Sequence, residues 1–162
     1  MSKQQHEQHT LVRTLALGVL SGGRSSTPLA VLALNHDNKA LTGSWQQWKA
    51  FSTPLGRGLL VASAIGELIG DKSPKAPNRI SPMGLVGRIG AGAFAGAALG
   101  TTGRRDLRLE GAILGGVGAV VGSFVGWAAR KVLSGAGLPD PVGALAEDAV
   151  VIAASVKTVT GA

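Results

Sequence analysis

The chain has 162 residues, of which 45% are hydrophobic and 25 are glycine, a composition that excludes an ordinary soluble domain and favours one helical membrane domain. The formal net charge of +7 would suggest a nucleic-acid partner in a soluble protein. Here the basic residues are scattered over loops and aromatic residues make up only 4% of the chain, so we expect no nucleic-acid binding.

A polar tail, residues 1–10, precedes what we interpret as a single integral membrane domain, residues 11–162. The first apolar stretch, Leu11 to Leu34, is interrupted from Gly22 to Thr27 by small and polar residues and an arginine. Unwound backbone is tolerated in lipid only where it is buried in protein or lines a wet cavity. We therefore predict a first helix that is broken or re-entrant, with an internal site at the interruption.

Four further helices are predicted, and three of them begin at a proline that follows a capping residue. They run from Pro54 to Gly70, from Pro82 to about Gly100, from Glu110 to Ala129 and from Pro141 to about Val159. The expected fold is an all-α polytopic bundle of about five spans in a lipid bilayer.

The orientation of this bundle is left open, because loop cations are nearly balanced between its two sides. Whether the first stretch crosses once or turns back is also left open. The connection that follows it carries Trp45, Trp48 and Phe51, which we expect at the level of the lipid headgroups.

Glycine recurs at four-residue spacing, in the manner of a glycine zipper, along the third and fourth predicted helices. The rows are Gly92, Gly96 and Gly100, then Gly118, Gly122 and Gly126, with Gly111 and Gly115 beginning a further row. Such rows allow helix backbones to approach closely. We expect the third and fourth helices to pack together within one chain, with packing across a homo-oligomer as the alternative.

Ionisable and polar residues within the apolar stretches form the candidate binding site, since a charge at mid-membrane costs about 2.5 to 3.5 kcal/mol and is usually paired. The candidates are Arg24, Ser25, Ser26, Thr27, Glu67, Asp71, Arg79, Arg88, Glu147 and Asp148. Arg24 precedes a half-helix whose free N–H groups and positive dipole end attract an anion. Glu67 and Glu147 would exchange protons or pair with Arg24 and Arg88, and Asp71 with Arg79 would gate the entrance. The alternative is an ion-pair network that only sets helix register.

These patterns predict a protein that binds or passes a small ion or polar solute. The alternative is a structural or assembly protein whose glycine faces pack against a membrane-protein partner. An intramembrane enzyme ranks third, because the chain has no cysteine or tyrosine and the predicted spans contain no histidine. We expect no cofactor and no metal, since no cysteine or carboxylate completes a shell around His6 and His9.

Several segments together resemble one known family. They are Gly23 to Ala30, Glu67 with Asp71 and Lys72, Pro77 to Arg79, Gly87 with Arg88, and Leu138 to Asp140 with Glu147 and Asp148. In order and spacing they are similar to the bacterial membrane family of domain of unknown function 4126. The resemblance covers nearly the whole chain apart from the polar tail and the loop at residues 35–52. It implies a small multi-pass protein of the bacterial inner membrane and implies no activity.

Overall fold

The computed structural model describes residues 3–70, 81–103, 105–135 and 140–161. These ranges are mostly helical and contain no β-strand, and one isolated bridge joins Gly43 to Thr102. The helices are α1 (Lys3–Gly23), α2 (Thr27–Leu34), α3 (Lys49–Ser52), α4 (Pro54–Gly70), α5 (Pro82–Gly100), α6 (Arg108–Gly135) and α7 (Asp140–Thr160), with 3-10 turns at Lys39–Leu41 and Ser44–Gln47. The predicted all-α fold class is confirmed.

Helices α4 and α5 have the predicted bounds because their first turns are capped as the sequence suggests. Thr53 Oγ1 accepts a hydrogen bond from the Gly56 N–H at 3.0 Å, and Ser81 Oγ accepts one from the Gly84 N–H at 3.3 Å. Proline follows each capping residue, where its fixed φ and missing N–H suit the first helical turn.

Two other helices are longer than predicted. α1 begins at Lys3, so most of the polar tail is helical, since no proline or glycine interrupts residues 3–10. α6 continues to Gly135 instead of ending at Ala129. Arg130 and Lys131, which we interpreted as cations at a helix end, are good helix formers and lie inside the helix.

The first apolar stretch folds into a hairpin of α1 and α2. Glu7, near the start of α1, lies 3.5 Å from the Arg105 guanidinium, and Gly43, after α2, forms its bridge with Thr102. Both ends of the stretch therefore lie beside the connection between α5 and α6. Of the two arrangements left open by the sequence, the structure has the one in which the chain turns back.

This hairpin defines two ends of the bundle. We call the end that holds residues 35–53 and 101–107 the loop end, and the opposite end, where α1 stops, the break end. α4 and α6 run toward the break end, and α5 and α7 run toward the loop end. The hairpin α1–α2 lies among these four helices, so the break faces protein.

Glycine rows bring α1, α5 and α6 into close contact, and these three helices form the most extensive packing in the described structure. The α5 row of Gly92, Gly96 and Gly100 lies against Gly111 and Gly115 of α6 and against Leu107, the residue just before α6. The predicted packing of these two helices is therefore present. The other α6 row differs from expectation, because Gly118 and Gly122 lie against the backbone of α1 at Leu15 and Val19.

An aromatic cluster closes the loop end. Trp45 and Phe51 are fully buried and meet edge to face at 4.9 Å, and Phe51 stacks on Phe94 of α5 at 5.6 Å. Trp45 Nε1 donates a hydrogen bond to the Leu41 carbonyl at 2.8 Å. The aromatics expected at the headgroup level thus include two that belong to the protein core.

Two helices among the described residues are long and apolar enough to cross a membrane, Pro82–Gly100 and Arg108–Val132. Less than half of each lies buried inside the bundle, at 44% and 33%. Large apolar side chains such as Ile113, Val117 and Phe124 remain exposed on α6. Length and composition thus support a membrane protein. A span needs about 20 apolar residues, and these two helices account for two of the roughly five spans expected.

We predict that Gly96→Ala lowers the thermal midpoint of the detergent-purified protein, although alanine is the better helix former by about 1 kcal/mol. A Cβ at Gly96 would overlap the Gly111 carbonyl oxygen, and overpacking of this kind costs about 1–3 kcal/mol. Gly90→Ala on the same helix is the matched control, because a Cβ there meets nothing within 4 Å. The control should keep or raise the midpoint. Equal midpoints for the two variants would contradict the close approach of α5 and α6.

Candidate functional site

The candidate site is the break between α1 and α2, residues 24–26, which lies inside the bundle. α1 ends as the Arg24 N–H donates to the Leu20 carbonyl at 2.9 Å, and α2 begins at Thr27 with Pro28 in its first turn. A break of this kind leaves the last carbonyls of one helix and the first N–H groups of the next without helical partners. In this protein side chains from α4, α5 and α6 supply the partners.

Arg88 of α5 binds the end of α1. Its Nη1 donates to the Gly22 carbonyl at 2.6 Å and to the Gly23 carbonyl at 3.2 Å. Ser123 Oγ of α6 lies 3.4 Å from the same Gly22 oxygen. Arg88 is only 8% exposed, and its positive charge lies where the helix dipole is negative, so the contact is electrostatically favourable.

Glu67 of α4 binds the start of α2. Its Oε1 accepts hydrogen bonds from the Ser25 N–H and from Ser25 Oγ, both at 2.9 Å, and its Oε2 accepts one from the Ser26 N–H at 2.8 Å. Ser26, the residue before α2, makes no capping hydrogen bond with its own side chain. The carboxylate of another helix therefore caps α2, at the dipole end that favours negative charge.

Arg24, at the break itself, joins the hairpin to α7 and α4. Its Nε donates to Asp148 Oδ1 at 2.7 Å, and Nη2 completes an ion pair with the same carboxylate. Its Nη1 donates to the Glu67 carbonyl at 3.3 Å, within the last turn of α4. The side chains of Arg24 and Asp148 are 0% and 8% exposed, so each neutralises a charge that would otherwise be buried alone.

Glu147, the neighbour of Asp148, lies beside the break and pairs with α6. Arg130 Nε donates to Glu147 Oε2 at 3.1 Å. A Cβ at Gly23 would come within 3.6 Å of Glu147 Oε1, so this carboxylate lies close to the end of α1. The pair connects α6 to α7 at the level of the break.

The structure thus gathers most of the predicted site residues around one point. Arg24, Ser25, Ser26, Glu67, Arg88 and Asp148 share the hydrogen bonds given above, and Glu147 lies at their edge. Thr27 is buried, and its hydroxyl has no hydrogen-bond partner among the described residues. Asp71 and Arg79, the expected entrance pair, lie outside the described residues.

Sequence reasoning missed three polar residues that join one helix to another, two of them at helix ends. Ser123 and Arg130 are described above, and Arg13 of α1 donates to the Thr158 and Val159 carbonyls at 2.8 and 2.6 Å, at the end of α7. A cation in the last turn of its own helix can be recognised from the sequence. A cation that binds the end of another helix leaves no pattern in the sequence that predicts the contact. Only the placement of Arg13 within an apolar stretch could have marked it.

We predict that the buried pair of Arg24 and Asp148 behaves as a unit. Arg24→Gln and Asp148→Asn should each destabilise the protein by about 3–5 kcal/mol, because each leaves an uncompensated buried charge. The double variant should lose much less than the sum of the two. Thermal midpoints in detergent measure all three.

Arg105→Gln is the control for this cycle. Arg105 pairs with Glu7 at the surface, with the two side chains 59% and 24% exposed, and such pairs contribute about 0–1 kcal/mol. Additive losses in the double variant would show that Arg24 and Asp148 do not act on each other.

Comparison with known proteins identifies the chain by family alone. No curated protein and no solved structure matches it. The model of the family described as a domain of unknown function (DUF4126) matches residues 11–160, which is nearly the whole chain and includes all the break residues. The chain therefore belongs to the DUF4126 family.

Proposed function

We propose that the protein is a multi-pass membrane protein that binds or passes a small anion at the start of α2, in exchange with the carboxylate of Glu67. The observation that carries the proposal is the set of hydrogen bonds from Ser25 and Ser26 to that carboxylate. Backbone N–H groups at a helix start bind anions in general, and here they already hold one that belongs to the protein. A chloride ion or a small carboxylate accepts hydrogen bonds from N–H groups in the same way as the Glu67 carboxylate.

Glu67 lies at the edge of the protein interior. Its side chain is only partly buried, and it lies in the last turn of α4. A Cβ at Gly66 or at Gly70, on either side of it, would meet nothing within 4 Å. The surface of α4 on either side of Glu67 is therefore not covered by other described residues.

Buried hydroxyls on the helices that meet at the break support a polar interior. Ser21 of α1, Thr27 of α2 and Ser155 of α7 have side-chain oxygens without a hydrogen-bond partner among the described residues. Native proteins rarely leave buried polar groups without a partner, and water or a solute supplies one where the protein does not. Ser21 and Thr27 lie three residues to either side of Arg24, and Ser155 lies about two helical turns from Asp148 on α7.

The bilayer is part of the proposal. Large apolar side chains are exposed on α4, α5, α6 and α7, among them Leu55, Ile69, Val86, Val121 and Val150. Soluble monomers rarely expose apolar surface over so many elements, and lipid would cover it. The bacterial inner membrane as the location rests on the family resemblance.

A structural role is the second candidate. Gly58, Ala62, Gly66 and Gly70 follow one another at four-residue spacing on α4, and a Cβ at any of the three glycines meets nothing within 4 Å. A row of this kind suits close packing against a helix of a partner protein. A stable partner captured by crosslinking, together with liposomes that pass no anion, would favour this role.

Anion flux in proteoliposomes tests the first proposal. We expect Glu67→Gln to raise chloride or acetate flux severalfold over wild type, because an amide competes less well than a carboxylate for N–H groups. Glu110→Gln is the matched control, since Glu110 is exposed at the first turn of α6, far from the break. Its flux should equal that of wild type.

Two outcomes would reject the proposal. One is the absence of anion flux in wild type and in Glu67→Gln alike, with both proteins folded by circular dichroism. The other is equal flux in Glu67→Gln and Glu110→Gln, which would separate the flux from the start of α2.

A further inference from the structure

A cavity lies at the loop end of the bundle, between the end of α2 and residues 57–65 of α4. Its volume is about 570 Å³, within the range of about 300–1,000 Å³ that holds small organic ligands. Leu34, Val61 and Ile65 form an apolar wall, and His36, Asp37 and Arg57 form a polar end. From Arg57 the wall extends one to two helical turns toward the break end, roughly 6–12 Å at 1.5 Å per residue.

The polar end presents one cation, Arg57, that is in no ion pair among the described residues. Arg57 Nη1 donates to the Phe51 carbonyl at 3.2 Å, and no carboxylate in the described part of the chain pairs with it. His36 Nδ1 lies 2.7 Å from Asp37 Oδ1, and its Nε2 lies 3.2 Å from the Gln46 carbonyl. Asp37 contacts only the edge of this end, because its side chain is 93% exposed and its carboxylate is turned to solvent. The guanidinium of Arg57 is therefore the group at this end that suits an anion.

The apolar wall opens toward the outer surface of the bundle. Leu34 and Ile65, which line the cavity, are 72% and 52% exposed, and Leu55 and Leu59 elsewhere on α4 are also exposed. In a membrane protein, a cavity in such a surface is open to the bilayer. The inference rests on the proposed function in this one respect, that the protein lies in a membrane. The ligand must therefore combine an anionic head with an apolar chain.

We propose that this cavity binds a phospholipid, with its phosphate on Arg57 and one acyl chain along Val61 and Ile65. A guanidinium is a strong donor to phosphate oxygens, and the cation lies at the loop end, where the chain leaves the apolar helices. The cavity has a cation for the phosphate and an apolar wall for the acyl chain. We therefore expect both parts of the phospholipid to contribute to its binding. The site is separate from the break and from Glu67, which lies ten residues further along α4.

Native mass spectrometry of the detergent-purified protein with added phosphatidylglycerol tests this site. Wild type should retain one phosphatidylglycerol, and Arg57→Gln should bind it about tenfold more weakly, the loss expected for a charge-assisted hydrogen bond. Arg108→Gln is the matched control. Arg108 is a partly exposed cation at the same end of the bundle, lies over the Trp48 ring and does not line the cavity.

A second pair of variants tests the apolar wall without touching a charge. Ala62→Phe should fill the cavity and weaken phosphatidylglycerol binding, whereas Ser63→Phe, on an exposed position of the same helix outside the cavity, should not. Diacylglycerol, which lacks phosphate, and inorganic phosphate, which lacks a chain, should each bind far more weakly. The helical circular dichroism of every variant is measured alongside.

Three results would overturn the proposal. They are a wild type that retains no phosphatidylglycerol, an Arg57→Gln variant that retains as much as Arg108→Gln, and diacylglycerol that binds as tightly as the phospholipid. Anion flux through the break does not enter any of these measurements, so the failure of one proposal is distinguishable from the failure of the other.

Discussion

A helix that stops inside a bundle leaves carbonyl groups and N–H groups that neither lipid nor apolar side chains can satisfy, and each such group costs free energy. Here two side chains of opposite charge bind the two helix ends that meet at the break. Arg88 binds the carbonyls at the end of α1, and Glu67 binds the N–H groups at the start of α2. Each charge has the sign that the adjoining helix dipole favours. The reversal of the chain is stable because α4 and α5 each supply one of these partners.

Close backbone packing makes these contacts geometrically possible. Gly22 lies directly against the α6 backbone, where a Cβ would overlap the Ala119 carbonyl and the Ser123 N–H. The Gly22 carbonyl can therefore lie within reach of Arg88 and of Ser123 together. Where no hydrophobic force drives one helix against another, small residues at the interface supply this packing. The glycine rows and the buried charges thus stabilise the same arrangement.

The sequence predicts the elements of this site better than their pairing. Proline and its capping neighbours marked α4 and α5 to the residue, and small polar residues within an apolar stretch marked the break. The partners were not predictable, because Arg24 and Asp148 are 124 residues apart and spacing along one helix says nothing about its neighbours. The start of α2 was expected to attract an anion, and the anion present is Glu67. Similarly, the glycine rows predicted the packing of α6 on α5, but the spacing did not show that the second row of α6 packs on α1.

The direct test of the turned-back hairpin is cysteine labelling, because the chain contains no cysteine of its own. Single cysteines at Gln8, before the apolar part of α1, at Lys39, after α2, and at Met83, at the break end of α5, are all at exposed positions. Each is treated with a membrane-impermeant maleimide in sealed vesicles of uniform orientation. The account predicts that positions 8 and 39 react from the same side and that position 83 reacts from the other. Reaction of positions 8 and 39 from opposite sides would show that the first stretch crosses the membrane, and would contradict a break held between Arg88 and Glu67.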